Sequence, residues 1–170
     1  MSIVLPYKLL AEELDPTVLR NAFGAFPSGV VAVAAEVDAV PVGMAASSFT
    51  SVSLSPPLVS FCIAKESSTW PVLRRAPRLG VSVLADHHDR VCRQLAGPAE
   101  ERFDELALHR SDRDAVILED AVVAFETSIY NEIPAGDHTL VLLRLHAVGQ
   151  SDREGSPLVF HRSTFGRLAG

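Results

Sequence analysis

Apolar positions along the chain follow two periods. Leu19, Ala22, Phe23 and Phe26 recur at helical spacing behind Asp15-Pro16, which reads as an N-cap followed by proline at the first helical position. Gly24 and Pro27 punctuate the end of that predicted helix. From residue 29 to 37 the chain is rich in Val and Ala. A turn at Asp38-Ala39 and a second extended stretch over 40–46 make this a predicted hairpin. Residues 58–63 form a short apolar run just after Pro56-Pro57 and read as a buried strand, because proline is tolerated before a strand and not inside it. A short helix is predicted over 69–75, a strand over 79–84, and a helix over 87–95 capped by Asp86. Residues 97–114 are polar and weakly periodic, a surface excursion. Two long strands follow, over 121–131 and 138–148. In the second, Leu140, Leu142, Arg144 and His146 alternate with Val141, Leu143, Leu145 and Ala147. A short strand over 158–161 is the last element.

Six or seven strands in hairpin-like succession, with few helices, argue against a doubly wound parallel sheet and favour a mainly β fold, a small barrel with short peripheral helices. No linker, repeat or low-complexity tract divides the chain, so one domain over 1–170 is expected, with 1–14 an N-terminal extension. Its 170 residues suffice for one core. The 15 Lys and Arg against 21 Asp and Glu, a net charge of -6, exclude a protein that holds nucleic acid or an anionic membrane by bulk charge. No window supplies the ~18 apolar residues of a membrane span, and Glu12, Glu13 and Asp15 come too early for a secretory signal. Cys62 and Cys92 have no CxxC partner, which suits a reduced cytoplasm and not a cysteine zinc site.

Three runs carry candidate chemistry. Residues 45–57, Ala-Ala-Ser-Ser-Phe-Thr-Ser-Val-Ser-Leu-Ser-Pro-Pro, bring hydroxyls and bare backbone amides that can hold a polar heterocycle and a polyol chain; the plainer alternative is a Ser-rich loop. Ala64-Lys65-Glu66-Ser67-Ser68-Thr69-Trp70 joins a strand end to a helix start and reads either as a phosphate cradle or as a capped helix with Lys65 solvated. Gly136-Asp137-His138 precedes the longest strand and is equally at home in an ordinary turn. The Gly-x-Gly-x-x-Gly and P-loop patterns are absent. Gly80-Val81-Ser82-Val83-Leu84 lacks the second glycine of a nucleophile elbow, and the histidines lack metal-ligand spacing.

Taken together, Phe26-Pro27-Ser28-Gly29-Val30, the run from Gly43 to Val59, Gly136-Asp137-His138-Thr139-Leu140 and Pro157-Leu158-Val159-Phe160-His161 resemble the flavin reductase family with the FMN-binding split-barrel fold. The resemblance spans about residues 18 to 168. It implies an NAD(P)H-dependent enzyme that reduces FMN or FAD with NADH or NADPH, a homodimer, and a partner monooxygenase that receives the reduced flavin. It also implies that Gly43, Met44, Ala45, Ser47 and Ser48 line the isoalloxazine and ribityl chain. Cys62, Ala64, Lys65, Ser67 and Ser68 would wrap the phosphate end, His138 would stand where the nicotinamide approaches, and Phe160 and His161 would lie near the dinucleotide. The chain departs from the family at Ala45 (commonly threonine), Ser47 (often asparagine) and Leu95 (often aromatic), so some hydrogen bonds to the ring are expected from backbone. Hydride transfer between stacked rings needs proximity more than acid–base help, in keeping with the lack of an evident acid/base pair. Two rivals are a non-catalytic FMN electron carrier and a same-fold flavoenzyme acting directly on a small organic substrate.

Overall fold

A computed structural model describes residues 14–151 and 155–168; the predicted extension falls outside these except for Leu14. Helix α1 (Pro16–Gly24) starts where the sequence places it, because Asp15 Oδ1 accepts from the backbone N–H of Thr17 at 2.7 Å and of Val18 at 3.4 Å. Its apolar stripe does not enter the core: no residue of α1 is buried, and Phe23 and the following Phe26 are 70% and 79% exposed.

The strands are β1 (Ser28–Gly29), β2 (Val31–Val37), β3 (Val40–Ala46), β4 (Thr50–Leu54), β5 (Pro57–Ala64), β6 (Leu79–Val83), β7 (Leu108–Arg110), β8 (Val116–Leu118), β9 (Val123–Ala135), β10 (His138–Gln150), β11 (Val159–His161) and β12 (Thr164–Gly166). Helices α2 (Trp70–Leu73) and α3 (Asp89–Leu95) complete the set, with a 3-10 turn at Ala99–Glu101. Seven strands form one antiparallel sheet in the order β3-β2-β6-β9-β10-β5-β4. β3 and β4 are therefore its opposite edges, yet only residues 47–49 separate them in sequence. So short a connection spans at most about 14 Å between strand ends, and the sheet must curl until its edges meet. They do not pair, which leaves a seam between β3 and β4. The barrel is split, as the resemblance implies.

Inward-facing residues fill the barrel: Val33, Phe61, Leu79, Val81, Val141 and Leu143 are fully buried, and Trp70 and Leu73 of α2 plug one end. Alternation along β2 sends Val31, Val33 and Ala35 into this core and Ala32, with Val30 just before the strand, into a second one, with Leu84, Leu95, Leu118 and Leu158, beneath α3. Burial of both faces explains why the strand reads as a continuous Val/Ala run. Gly80 lets β8 cross closely, since a Cβ there would sit 2.0 Å from the Val116 carbonyl oxygen.

Five expectations need correction. α3 begins at Asp89, and Asp86 does not cap it; the preceding turn is closed instead by His88, whose Nδ1 accepts from the Ala85 N–H at 3.0 Å. The excursion over 97–114 is partly structural, because Phe103, Leu106 and Leu108 pack on the second core. β9 runs on to Ala135, so β9 and β10 form one long hairpin whose two-residue turn takes a positive φ at Gly136. The Ser-rich run contains an edge strand, β4, and β12 follows the last predicted strand.

Candidate functional site

The three candidate runs meet at the seam. Ser48, in the link between β3 and β4, accepts from the Cys62 backbone N–H at 2.8 Å and donates to the Cys62 carbonyl at 3.3 Å, joining the hydroxyl-rich run to the end of β5. Ala64 then lies opposite His138 in the β5–β10 register. Lys65 completes the connection twice: its backbone N–H donates to Asp137 O at 3.0 Å and its Nζ to Gly136 O at 2.5 Å. His138 Nδ1 lies 2.7 Å from Asp137 Oδ1, and this hydrogen bond, followed by the electrostatic effect of the neighbouring imidazole, holds the Asp137 carboxyl below its ordinary range. The His138 side chain remains half exposed at the mouth of the hairpin.

A residue that sequence reasoning passed over secures the seam from outside. Arg102, in the excursion, donates from Nη1 to Gly43 O at 2.9 Å and to Thr69 Oγ1 at 2.8 Å, and from Nε to Gly97 O at 2.9 Å. One guanidinium thus ties β3, the entry to α2 and the exit of α3. Because the Gly43 carbonyl meets Arg102, it points away from β2; strand alternation then sends the N–H and C=O of Ala45 to the same open edge. With the Gly43 carbonyl taken by Arg102, Ala45 is where edge strand β3 turns a backbone donor and acceptor outward along the seam.

Beside this edge lies an apolar cavity of about 240 Å³, lined by Ala45, Ala46, Ser47, Cys92, Ala96 and Phe160 with Val30, Arg93 and Phe165. It is smaller than the roughly 300–1,000 Å³ of pockets that enclose a whole drug-sized ligand. Its size and walls suit one flat ring system with its polar edge on the β3 backbone. Burial pushes the Cys92 thiol above its ordinary value, so the wall there is a neutral S–H. On the other side of Gly43 a recess of about 350 Å³ is lined by Pro41, Val42, Ser68, Thr69 and Arg102.

Some candidates are placed differently from the rest. The Met44 side chain is buried in the barrel core, leaving only its backbone near the seam. Ser67 Oγ accepts from the Trp70 N–H at 3.3 Å and so closes the turn before α2, which is a single turn of helix with Pro71 in it. Such a helix has too little dipole to attract a phosphate, and any anion affinity there rests on side chains and loop amides. Phe160 joins the cavity wall, packed on Phe165 with ring centroids 5.4 Å apart. His161, the next residue on β11, is exposed and lines none of the cavities described here. Leu95 is fully buried in the second core. Cys92, Arg93, Ala96 and Phe165 were not anticipated, and no local pattern in the sequence marks them.

The split barrel thus sets an apolar cavity of ring size against an open strand edge. Comparison with known sequences makes the assignment specific: residues 23–169 match the flavin reductase like domain, and the chain belongs to that family. It is 36% identical over 163 residues to a flavin reductase of Pseudomonas putida, covering 95% of each chain. It is 32% identical over 155 residues to the reductase subunit HsaB of a flavin-dependent monooxygenase of Rhodococcus jostii, covering 91% of this chain and 79% of that one. Among solved structures, the NADH:FAD oxidoreductase SgcE6 of Streptomyces globisporus, in complex with NAD and FAD fragments, superposes with a TM-score of 0.85 at 34% identity, over 94% of this chain and 98% of that one.

Proposed function

We propose that this chain is an NAD(P)H:flavin oxidoreductase that binds FMN or FAD at the β3–β4 seam, releases it once reduced, and supplies it to a partner monooxygenase. The observation that carries the site assignment is the 240 Å³ apolar cavity beside the unpaired edge of β3. Family membership supports the activity.

In this reading the ring packs against Ala45, Ala46 and Phe160, and the outward-facing backbone groups of Gly43, Ala45 and Ser47 meet its polar edge. That arrangement removes any need for the threonine and asparagine that Ala45 and Ser47 replace. Ser48, Cys62 and Ala64 shape the passage to the phosphate end, and Lys65, Ser67 and Ser68 serve it. The Lys65 ammonium has three donors, of which Gly136 O takes one. His138 lies at the exposed side of the seam, where it meets the nicotinamide, and His161 meets the outer part of the dinucleotide. A bound flavin supplies the hydride-accepting ring; the protein supplies stacking walls, orientation and exclusion of water, worth several kcal/mol of the barrier.

Release of the reduced flavin is what separates this reading from a permanent electron carrier. A homodimer accounts for the exposed apolar residues Val52 and Leu54 on β4 and Tyr130 and Ile133 on β9, the strands that flank β5 and β10. The test is steady-state oxidation of NADH and NADPH with added FMN, FAD or riboflavin. Turnover is expected with free flavin alone. Oxidation that appears only with an organic substrate, or flavin that cannot be removed, would favour a rival. Light scattering reads the dimer directly.

A further inference from the structure

The apolar inward face of β9 is interrupted near the strand's end. Glu132 is paired with Val141 of β10 and shares its face, yet Val141 is fully buried in the barrel and Glu132 is a carboxylate. Both of its oxygens are engaged by α2: Oε1 accepts from Trp70 Nε1 at 2.8 Å and Oε2 from Arg74 Nη2 at 2.5 Å. Trp70, the one tryptophan in the chain, is buried edge-on against Phe61 with ring centroids 5.6 Å apart, so its N–H needs a protein partner. The loop that leads into α2 is tied to the same hairpin at its other end, where Lys65 bonds the carbonyls of Gly136 and Asp137. Glu132 stands about 13 Å back from Gly136 along the β9 arm. Between these two anchors the Trp70 backbone N–H donates to Ser67 Oγ at 3.3 Å, and the Ser67 N–H to Ala64 O at 3.0 Å. The setting of the indole therefore governs the place of Ser67 and of the exposed Ser68 beside it.

Building on the reading that Lys65, Ser67 and Ser68 serve the flavin phosphate, we propose that Glu132 is a positioning residue: through Trp70 it fixes the 66–69 loop where its hydroxyls and amides meet that phosphate. An apolar side chain at 132 with a phenyl ring at 70 would plug the barrel end as well. A carboxylate bonded to the indole N–H instead selects one setting of α2 among several of similar packing. The Arg74 side chain is half exposed, so its bond balances charge more than it orients. Arg102 joins the adjoining Thr69 hydroxyl to the Gly43 carbonyl, which sets the loop against the seam as well as the hairpin. The ring cavity shares no residue with this network, so loss of Glu132 acts on the phosphate end and not on the ring.

Hydrogen exchange tests the clamp, and flavin titration tests what it is for. In Glu132→Ala the amides of Ser67 and Trp70 should exchange about fivefold faster while those of β2 and β6 hold. Trp70→Phe, which keeps a ring on Phe61, should do the same and serves as the second variant should Glu132→Ala fail to fold. Glu132→Gln keeps an acceptor for the indole and should restore most of the protection. FMN affinity, read by quenching of flavin fluorescence, should fall about fivefold in Glu132→Ala and Trp70→Phe while riboflavin affinity stays the same. The double variant should be no worse than either single one, since both remove the same bond. Wild-type exchange in the folded variants, an FMN preference that survives faster exchange, or equal loss for both flavins overturns the positioning role, as does a wild type with no preference for FMN over riboflavin. A wild type that binds neither flavin is a different failure, that of the reductase reading itself.

Discussion

The Ser48 hydroxyl bonds both the N–H and the carbonyl of Cys62, at 2.8 and 3.3 Å, fastening the link between the two edge strands to the end of β5. The contact continues the β4–β5 pairing into the link and holds the link on the β5 side of the seam. Ser48→Ala removes that contact and leaves two backbone groups to find water. A loss of about 1 kcal/mol in unfolding free energy is expected, with a several-fold rise in KM for flavin; denaturant melts and steady-state kinetics on the same preparation check both.

Arg102 holds Gly43, Thr69 and Gly97 together, so Arg102→Met should cost more, about 2–3 kcal/mol, because two backbone carbonyls and a hydroxyl lose a charged donor at once. Flavin affinity should fall with it as the β3 edge loosens. Arg102→Lys, which reaches one partner at a time, should recover only part of either quantity.

Lys65 and His138 share a hairpin turn but should fail differently. Lys65→Ala is expected to weaken FMN binding about tenfold and riboflavin binding much less, since only FMN carries the phosphate. His138→Ala should slow single-turnover flavin reduction at saturating NADH while flavin affinity and melting temperature hold. Equal loss for both flavins, or an unchanged reduction rate, would confine the respective side chain to closing the turn between Gly136 and the β5 end.

Stability should decline on mild acidification. Burial, and then the neighbouring His87, push the His88 pKa below its ordinary value, and protonating its Nδ1 would break the hydrogen bond it accepts from Ala85. The nearby Asp120 and Asp86 act in the opposite sense but do not prevail. The unfolded chain therefore binds the proton more readily, and stability falls as pH drops below about 6.5 towards the folded pKa. His146 is shifted the same way, by partial burial and then by Arg78 and Arg144, so it adds to the slope. His88→Asn, which keeps an acceptor for Ala85, should flatten the dependence of melting temperature on pH between 7 and 5.

Much of the barrel was legible because strand burial leaves a mark on the sequence. β2 is continuous Val and Ala since both its faces are covered, and β10 alternates since one face is not. Boundaries were lost where tertiary contacts overrode local signals: Asp86 has the chemistry of an N-cap, but its backbone N–H bonds Ser156 and the His88 turn sets the start of α3. β4 was hidden because an exposed edge strand needs no apolar alternation. At the site, Gly43, Ser48 and Lys65 stood out in contiguous runs. Arg102 and Arg93 did not, because each acts from a polar segment whose place over the seam or the ring cavity is fixed only by the folded chain. Met44 misled for the opposite reason, its run belonging to the site while its own side chain belongs to the core.

The most direct test of a flavin site at the β3–β4 seam is anaerobic, NADH-driven reduction of FMN followed by flavin absorbance, comparing the wild type with Ala96→Phe. Ala96 is exposed at the end of α3 and lines the ring cavity, so a phenyl group there fills the cavity without entering either core. The expected result is ready reduction by the wild type and a rise of tenfold or more in the FMN concentration needed by the variant, at a melting temperature close to wild type. No reduction by the wild type, or an Ala96→Phe enzyme that handles FMN as the wild type does, would contradict it.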